Sequence, residues 1–158
     1  MNYPAARTSL SIRIVTGLVL ALTAGFCVAS WFDRPLLIAS LGLGVVVLLC
    51  YLSAPVAYEV TEGRFTVRLR AGRKCFGELR ACHRVTARIP FTIRLFGNGG
   101  VFAGTGLYWN RPYGVFRAYA TSARTADAVL VETARGRVLI TPADPTAFVA
   151  TCGAVPRT

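Results

Sequence analysis

The residues best suited to chemistry in this 158-residue sequence are cations: Arg64, Arg68 and Arg70, followed at once by Arg73 and Lys74. They sit in and just after the stretch Arg64-Phe65-Thr66-Val67-Arg68-Leu69-Arg70, which alternates polar and apolar residues. In a β-strand that alternation puts Phe65, Val67 and Leu69 on one face and Arg64, Thr66, Arg68 and Arg70 on the other. Ala71-Gly72-Arg73-Lys74 reads as the turn that follows. Guanidinium groups recognise phosphate and carboxylate oxygens through paired, charge-assisted hydrogen bonds. Such a row can therefore bind an anionic surface or partner, but it cannot by itself make or break a bond.

Other candidate chemistry is thin. The run Phe96-Gly97-Asn98-Gly99-Gly100-Val101-Phe102-Ala103-Gly104-Thr105-Gly106 is rich in glycine, yet it contains neither G-x-G-x-x-G nor G-K-[ST]. Its glycines are expected to supply positive φ in turns and close backbone approach. Cys75, Cys82 and His83 have no usual zinc spacing, and a fourth ligand would have to come from Cys152 or a carboxylate. With one histidine there is no Ser-His-Asp or Cys-His order, no G-x-S-x-G and no H-E-x-x-H. The six acids after residue 58 are scattered, and two have structural reasons: Asp144 as a helix cap and Glu62 in a turn. The expectation is a protein without catalytic residues, metal or cofactor.

The elements that must position the cations begin with two apolar segments. Ile14 to Phe32 is nineteen residues without a charge and Leu36 to Tyr58 is twenty-three. As helices they would be about 28 and 34 Å long, enough for a hydrocarbon core of about 30 Å. Asp33-Arg34-Pro35 is the only polar break, so the two must form an antiparallel hairpin. The helices are expected at 14–32 and 36–55, with the loop at 33–35 and a short cytoplasmic segment at 1–13. Trp31, Phe32, Tyr51 and Tyr58 suit interfacial positions. A cleaved signal peptide ending near Ala29-Ser30 is the rival, but the second segment would still anchor the chain. Small residues such as Gly17, Ala21, Gly42 and Gly44 permit close helix packing.

Charge gives the orientation. The net charge is +11, and from Glu59 onward fifteen Arg and Lys residues face six acids. The leading segment carries Arg7 and Arg13, whereas Arg34 is the one basic residue of the hairpin loop. The positive-inside rule then puts both termini in the cytoplasm, in the inner (plasma) membrane of a cell. Three cysteines, Cys75, Cys82 and Cys152, lie in the basic part. Read as unpaired thiols, they agree with a reducing compartment.

From residue 56 to 155 the pattern is that of short strands. Val56–Val60 and Arg64–Arg70 flank a Thr61-Glu62-Gly63 turn, and Gly136 marks a second tight hairpin. Further strands are expected near 75–80, 84–89, 92–96, 101–108, 115–121, 128–133 and 137–141. Arg80, Arg84 and Arg88 recur at spacing four, which fits either a helical turn or a bulged strand. Asp144 and Pro145 open a terminal helix at 144–152 that Gly153 and Pro156 stop. The fold class is α+β: a transmembrane hairpin followed by a mostly antiparallel, partly open barrel with a C-terminal capping helix.

Tyr58-Glu59-Val60 with Glu62-Gly63, Phe96-Gly97-Asn98-Gly99-Gly100, Gly114-Val115-Phe116 with Tyr119-Ala120-Thr121, and Ile140-Thr141-Pro142 with Asp144-Pro145 and Phe148 follow the two helices in order. In this the chain resembles the membrane-anchored bacterial PH-like (pleckstrin-homology-like) domain proteins. The resemblance implies a seven-stranded PH-type barrel with a capping helix and a cytoplasmic binding or scaffolding role, with no catalytic residues. In PH domains generally, anionic headgroups bind near the loop between the first two strands, whose counterpart here is Thr61–Arg64.

The expected function is thus a non-enzymatic, membrane-tethered PH-like module that binds a protein partner or a second copy of itself. Direct binding of anionic lipid headgroups by Arg64, Arg68, Arg70, Arg73 and Lys74 is the first alternative, and service as an accessory subunit of a transporter or enzyme complex is the second. Nucleic acid is not expected, because no aromatic platform accompanies the basic residues.

Overall fold

The computed structural model of the protein describes residues 1–30, 34–85 and 92–153. Two long helices, α1 (Leu10–Ala29) and α2 (Arg34–Leu52), pack against each other near the N-terminus. Both are long and apolar enough to cross a membrane, and in each only 6% of the most apolar 18-residue stretch is buried. A soluble core would cover such helices, whereas lipid leaves them bare of protein contact. Leu18, Leu22, Val28, Ile38, Leu41 and Leu49 all project outward. Trp31 and Phe32, expected at an interfacial position, and Asp33 of the expected loop lie outside the described residues.

The sequence boundaries shift by a few residues. α1 starts at Leu10 rather than residue 14, α2 takes in Arg34 and Pro35 of the expected 33–35 loop, and α2 ends at Leu52 rather than 55, because Pro55 already opens a strand.

Nine strands make one sheet among the described residues: β1 (Asn2–Pro4), β2 (Pro55–Thr61), β3 (Arg64–Leu69), β4 (Gly72–Arg84), β5 (Ile93–Gly99), β6 (Gly104–Asn110), β7 (Gly114–Ala120), β8 (Val129–Thr133) and β9 (Gly136–Ile140). Their order is β1-β2-β3-β4-β8-β9-β7-β6-β5, antiparallel throughout except for β7 against β9. The sheet is open, with β1 and β5 at its edges. A terminal helix, α3 (Pro145–Gly153), covers one side.

Three local expectations are met by identifiable chemistry. Glu62 and Gly63 adopt φ of 51° and 72°, as a tight β2–β3 hairpin with two left-handed central residues requires. Gly136, at φ 111°, joins β8 to β9. Asp144 caps α3, its Oδ1 accepting the Ala147 N–H at 2.9 Å.

Others need correction. The expected strand at 75–80 extends into a thirteen-residue strand, β4, that reaches Arg84 and is bulged between Leu79 and Ala81; most of the strand expected at 84–89 (residues 86–89) lies outside the described residues. Arg80 and Arg84 therefore ride a bulged strand, while Arg88 lies outside the described residues. The turn after β3 is only Arg70-Ala71, so Arg73 and Lys74 belong to β4. Residues 2–4, within the expected N-terminal segment 1–13, form strand β1 on β2 (Tyr3 opposite Tyr58).

The cysteines also depart from expectation. Cys82 on β4 and Cys152 on α3 are joined as a disulfide, with Cα atoms 6.1 Å apart. Seventy residues separate them, and only the packing of α3 across β4 brings them together. Cys27, Cys50 and Cys75 are free.

The main core lies between the sheet and α3. Tyr58, Phe65, Val67, Phe76, Val131, Ile140 and Phe148 are buried there, and Phe148 meets Phe65 edge-on at 6.3 Å between ring centres. A second cluster, including Phe116, Ala118, Leu130 and Leu139, occupies the other face of β7–β9–β8. Burial on both faces explains why β8 and β9 read as unbroken apolar runs, Val129-Leu130-Val131 and Val138-Leu139-Ile140.

Candidate functional site

The cations singled out by sequence do not form one row. Arg64, Arg68 and Arg73 share the outer, solvent face of β3–β4: Arg68 stands opposite Arg73, and Arg64 opposite Glu78. Lys74 stands opposite the buried Val67 and so takes the inner face, its Nζ 5.9 Å from the centre of the Tyr119 ring. Consecutive residues of a strand must point to opposite sides, which separates Arg73 from Lys74 once both belong to β4. Arg117 joins Lys74 beside a groove between the sheet and the Val46 and Leu49 side of α2.

Arg70 goes a third way. Its guanidinium lies 4.4 Å above the Tyr51 ring of α2, and Nη1 donates to the Tyr51 hydroxyl at 3.1 Å. The backbone at this turn is tied to the end of the same helix: Arg70 N–H donates to the Ala54 carbonyl and Ala71 N–H to that of Leu52, each at 3.1 Å. The β3–β4 turn is thus clamped to the foot of the hairpin.

A second clamp comes from the glycine-rich stretch. Gly97 and Gly106 face each other across β5–β6 at φ of 116° and 153°, and a Cβ on either would strike the backbone of the opposite strand. Beyond them the Asn98 side chain organises the loop. Its Nδ2 donates to the carbonyls of Val101 and Ala103, while Oδ1 accepts the N–H groups of Gly100 and Val101. The loop presents Phe102 at φ 62°, with its N–H bonded to Thr16 Oγ1 of α1 at 2.8 Å and its ring edge-on to Tyr51 at 5.1 Å. Sequence reasoning read these glycines as turn and close-approach chemistry and missed Phe102 and Thr16. No local pattern marks a contact between residues 86 positions apart.

Cys75 lies exposed on the outer face. The Gly77 backbone hydrogen bond, then the Thr66 hydroxyl, with smaller help from Arg135 and Arg64, holds its thiol below the ordinary range. Among the described residues no three His, Cys, Asp or Glu side chains gather as a metal site would need, and His83 is exposed on β4.

The residues after the hairpin thus form a mostly antiparallel open sheet capped by a C-terminal helix. The model of the bacterial PH domain matches residues 56–154, more than half of the chain. The chain belongs to the bacterial PH domain family. No curated protein and no solved structure matches it. Both clamps are contributed by this PH domain, whereas their receivers, Thr16, Tyr51 and Leu52, belong to the helices that precede it. Its β2–β3 hairpin, Thr61–Arg64, is a tight turn carrying one basic residue, Arg64, so no long basic loop is present between these strands.

Proposed function

We propose that the protein is a non-enzymatic binding or scaffolding module, with the apolar hairpin as its membrane anchor and the PH domain (residues 56–155) held at the cytoplasmic face. The double clamping of the domain to the hairpin supports this reading, because it holds the domain beside its anchor while the outer face of β3–β4 stays open to solvent. With Arg64, Arg68 and Arg73, that outer face has a charge that suits an acidic patch on a partner protein or on a second copy of the chain.

Orientation is read from the arginine asymmetry, with Arg34, at the start of α2, the one basic residue at one end of the hairpin, and Arg7, Arg13 and the basic domain at the other. The Cys82–Cys152 pair removes the support that free thiols gave to a reducing compartment. Cys75 offers the test, being exposed and lowered in pKa. In a chain with Cys27 and Cys50 replaced by alanine, a membrane-impermeant maleimide should label Cys75 in inverted membrane vesicles and spare it in intact spheroplasts. Labelling of spheroplasts would reverse the orientation. A photo-crosslinker at Arg68 should trap a discrete adduct, with a partner protein or a second copy. Its absence, together with a strictly monomeric protein in detergent, would remove the scaffolding reading.

A further inference from the structure

Three arginines from distant parts of the chain meet at the foot of the hairpin. Arg7 lies in the connection from β1 to α1, Arg13 in the first turns of α1, and Arg70 in the β3–β4 turn. All three line one groove of about 720 Å³ between the hairpin and the sheet, and no carboxylate lines it. Among the described residues none of the three is paired with an acid. Each is exposed, so the groove keeps uncompensated positive charge in reach of solvent.

The other wall is apolar. Thr16, Gly17 and Leu20 follow Arg13 at three, four and seven residues and therefore lie along the same side of α1. Gly17 has nothing within 4 Å of where a Cβ would be, which leaves that side open. The groove thus runs from a cluster of guanidinium groups onto the apolar flank of a membrane-length helix. The charge-free part of α1 starts at Ile14, so the cluster stands at headgroup height when the hairpin spans a bilayer.

We infer that this groove is a binding site for one anionic phospholipid, its phosphate held by Arg7, Arg13 and Arg70 and the start of an acyl chain laid against Gly17 and Leu20. Guanidinium forks match phosphate oxygens in pairs. Arg70 is the preorganised member, fixed by its stack on Tyr51. The inference rests on the hairpin's lying in a membrane. It is independent of the outer-face partner, since Arg64, Arg68 and Arg73 point elsewhere.

Native mass spectrometry of the full chain in detergent, with phosphatidylglycerol or phosphatidylcholine added, tests it. The wild type should retain phosphatidylglycerol about tenfold better, which corresponds to about 1.4 kcal/mol. R7Q/R13Q/R70Q should bring the two lipids to parity, while R64Q/R68Q/R73Q should keep the preference. Millimolar inorganic phosphate should not displace the lipid. Parity in the wild type, a preference that survives the groove variant, an equal loss in the outer-face variant, or displacement by free phosphate would each overturn the proposal. Should the triple variant lose its helical circular dichroism, R7Q and R13Q singly carry the test, since neither side chain makes a hydrogen bond among the described residues, and each should reduce the preference severalfold.

Discussion

The Tyr58 hydroxyl shows how much one polar atom can hold in place. It is fully buried, donates to the Tyr119 carbonyl at 2.6 Å and accepts the Thr141 N–H at 3.4 Å, tying β2 to β7 and to the end of β9. Burial pushes its pKa up to about 12, against a smaller lowering by Thr141. The folded domain therefore keeps this proton more tightly than the unfolded chain, in which tyrosine titrates near pH 10. Its stabilising share is complete below about pH 10 and declines as pH rises towards 12. Tyr58→Phe should cost about 1–2 kcal/mol at neutral pH and flatten the alkaline loss of stability. Melting temperatures between pH 8 and 11.5 check both. Sequence reasoning gave Tyr58 an interfacial position at the far end of the second helix. The helix ends at Leu52 instead, and in β2 the side chain turns into the core.

At the scale of elements, the β5–β6 loop is the clearest case of a sequence whose glycines were readable and whose purpose was not. Positive φ and close approach follow from glycine itself, but the landing of Phe102 on Thr16 and Tyr51 depends on where the hairpin stands. Asn98→Ala removes four hydrogen bonds from the loop at once. It should speed amide exchange over residues 99–104 at least tenfold and leave β8–β9 unchanged, as hydrogen-exchange mass spectrometry of the full chain would read. Unchanged exchange would mean that the loop is held by something other than Asn98. The β3 alternation, the two tight hairpins and the Asp144 cap were legible because each is settled within a few residues. Strand β1 was not, since three residues, Asn2–Pro4, carry no period of their own and pair only across the inserted helices. The same holds for Cys82 and Cys152, on elements far apart in the chain. Breaking that bond with Cys152→Ser should lower the stability of oxidised protein by on the order of 4 kcal/mol at most, given the 70-residue separation. It should do nothing to protein already reduced, so melting with and without reductant separates the two.

For the whole molecule, the hairpin is an insertion within a β-ribbon. β1 enters α1, α2 returns into β2, and β1 and β2 pair with each other. The Ala5 N–H to the Val56 carbonyl at 2.9 Å and the Ala6 N–H to the Thr141 carbonyl at 2.8 Å continue that grip to the start of α1. Four arginines and Lys74 read as one surface because they are neighbours in sequence, and the fold distributes them over three directions. Arg7 and Arg13, counted in the sequence only as topology signals, became neighbours of Arg70 because the insertion returns the chain to its own beginning.

That double attachment has a consequence for encounter. A domain on a flexible single tether sweeps a hemisphere and tumbles while it searches. One gripped at both ends of its anchor keeps a constant height and tilt, and its remaining freedom is lateral drift and rotation about the bilayer normal. A partner confined to the same membrane would meet it with most of the orientational search already done, whereas one arriving from bulk solution would still face the whole of it. The geometry thus favours neighbours in the plane over visitors from above.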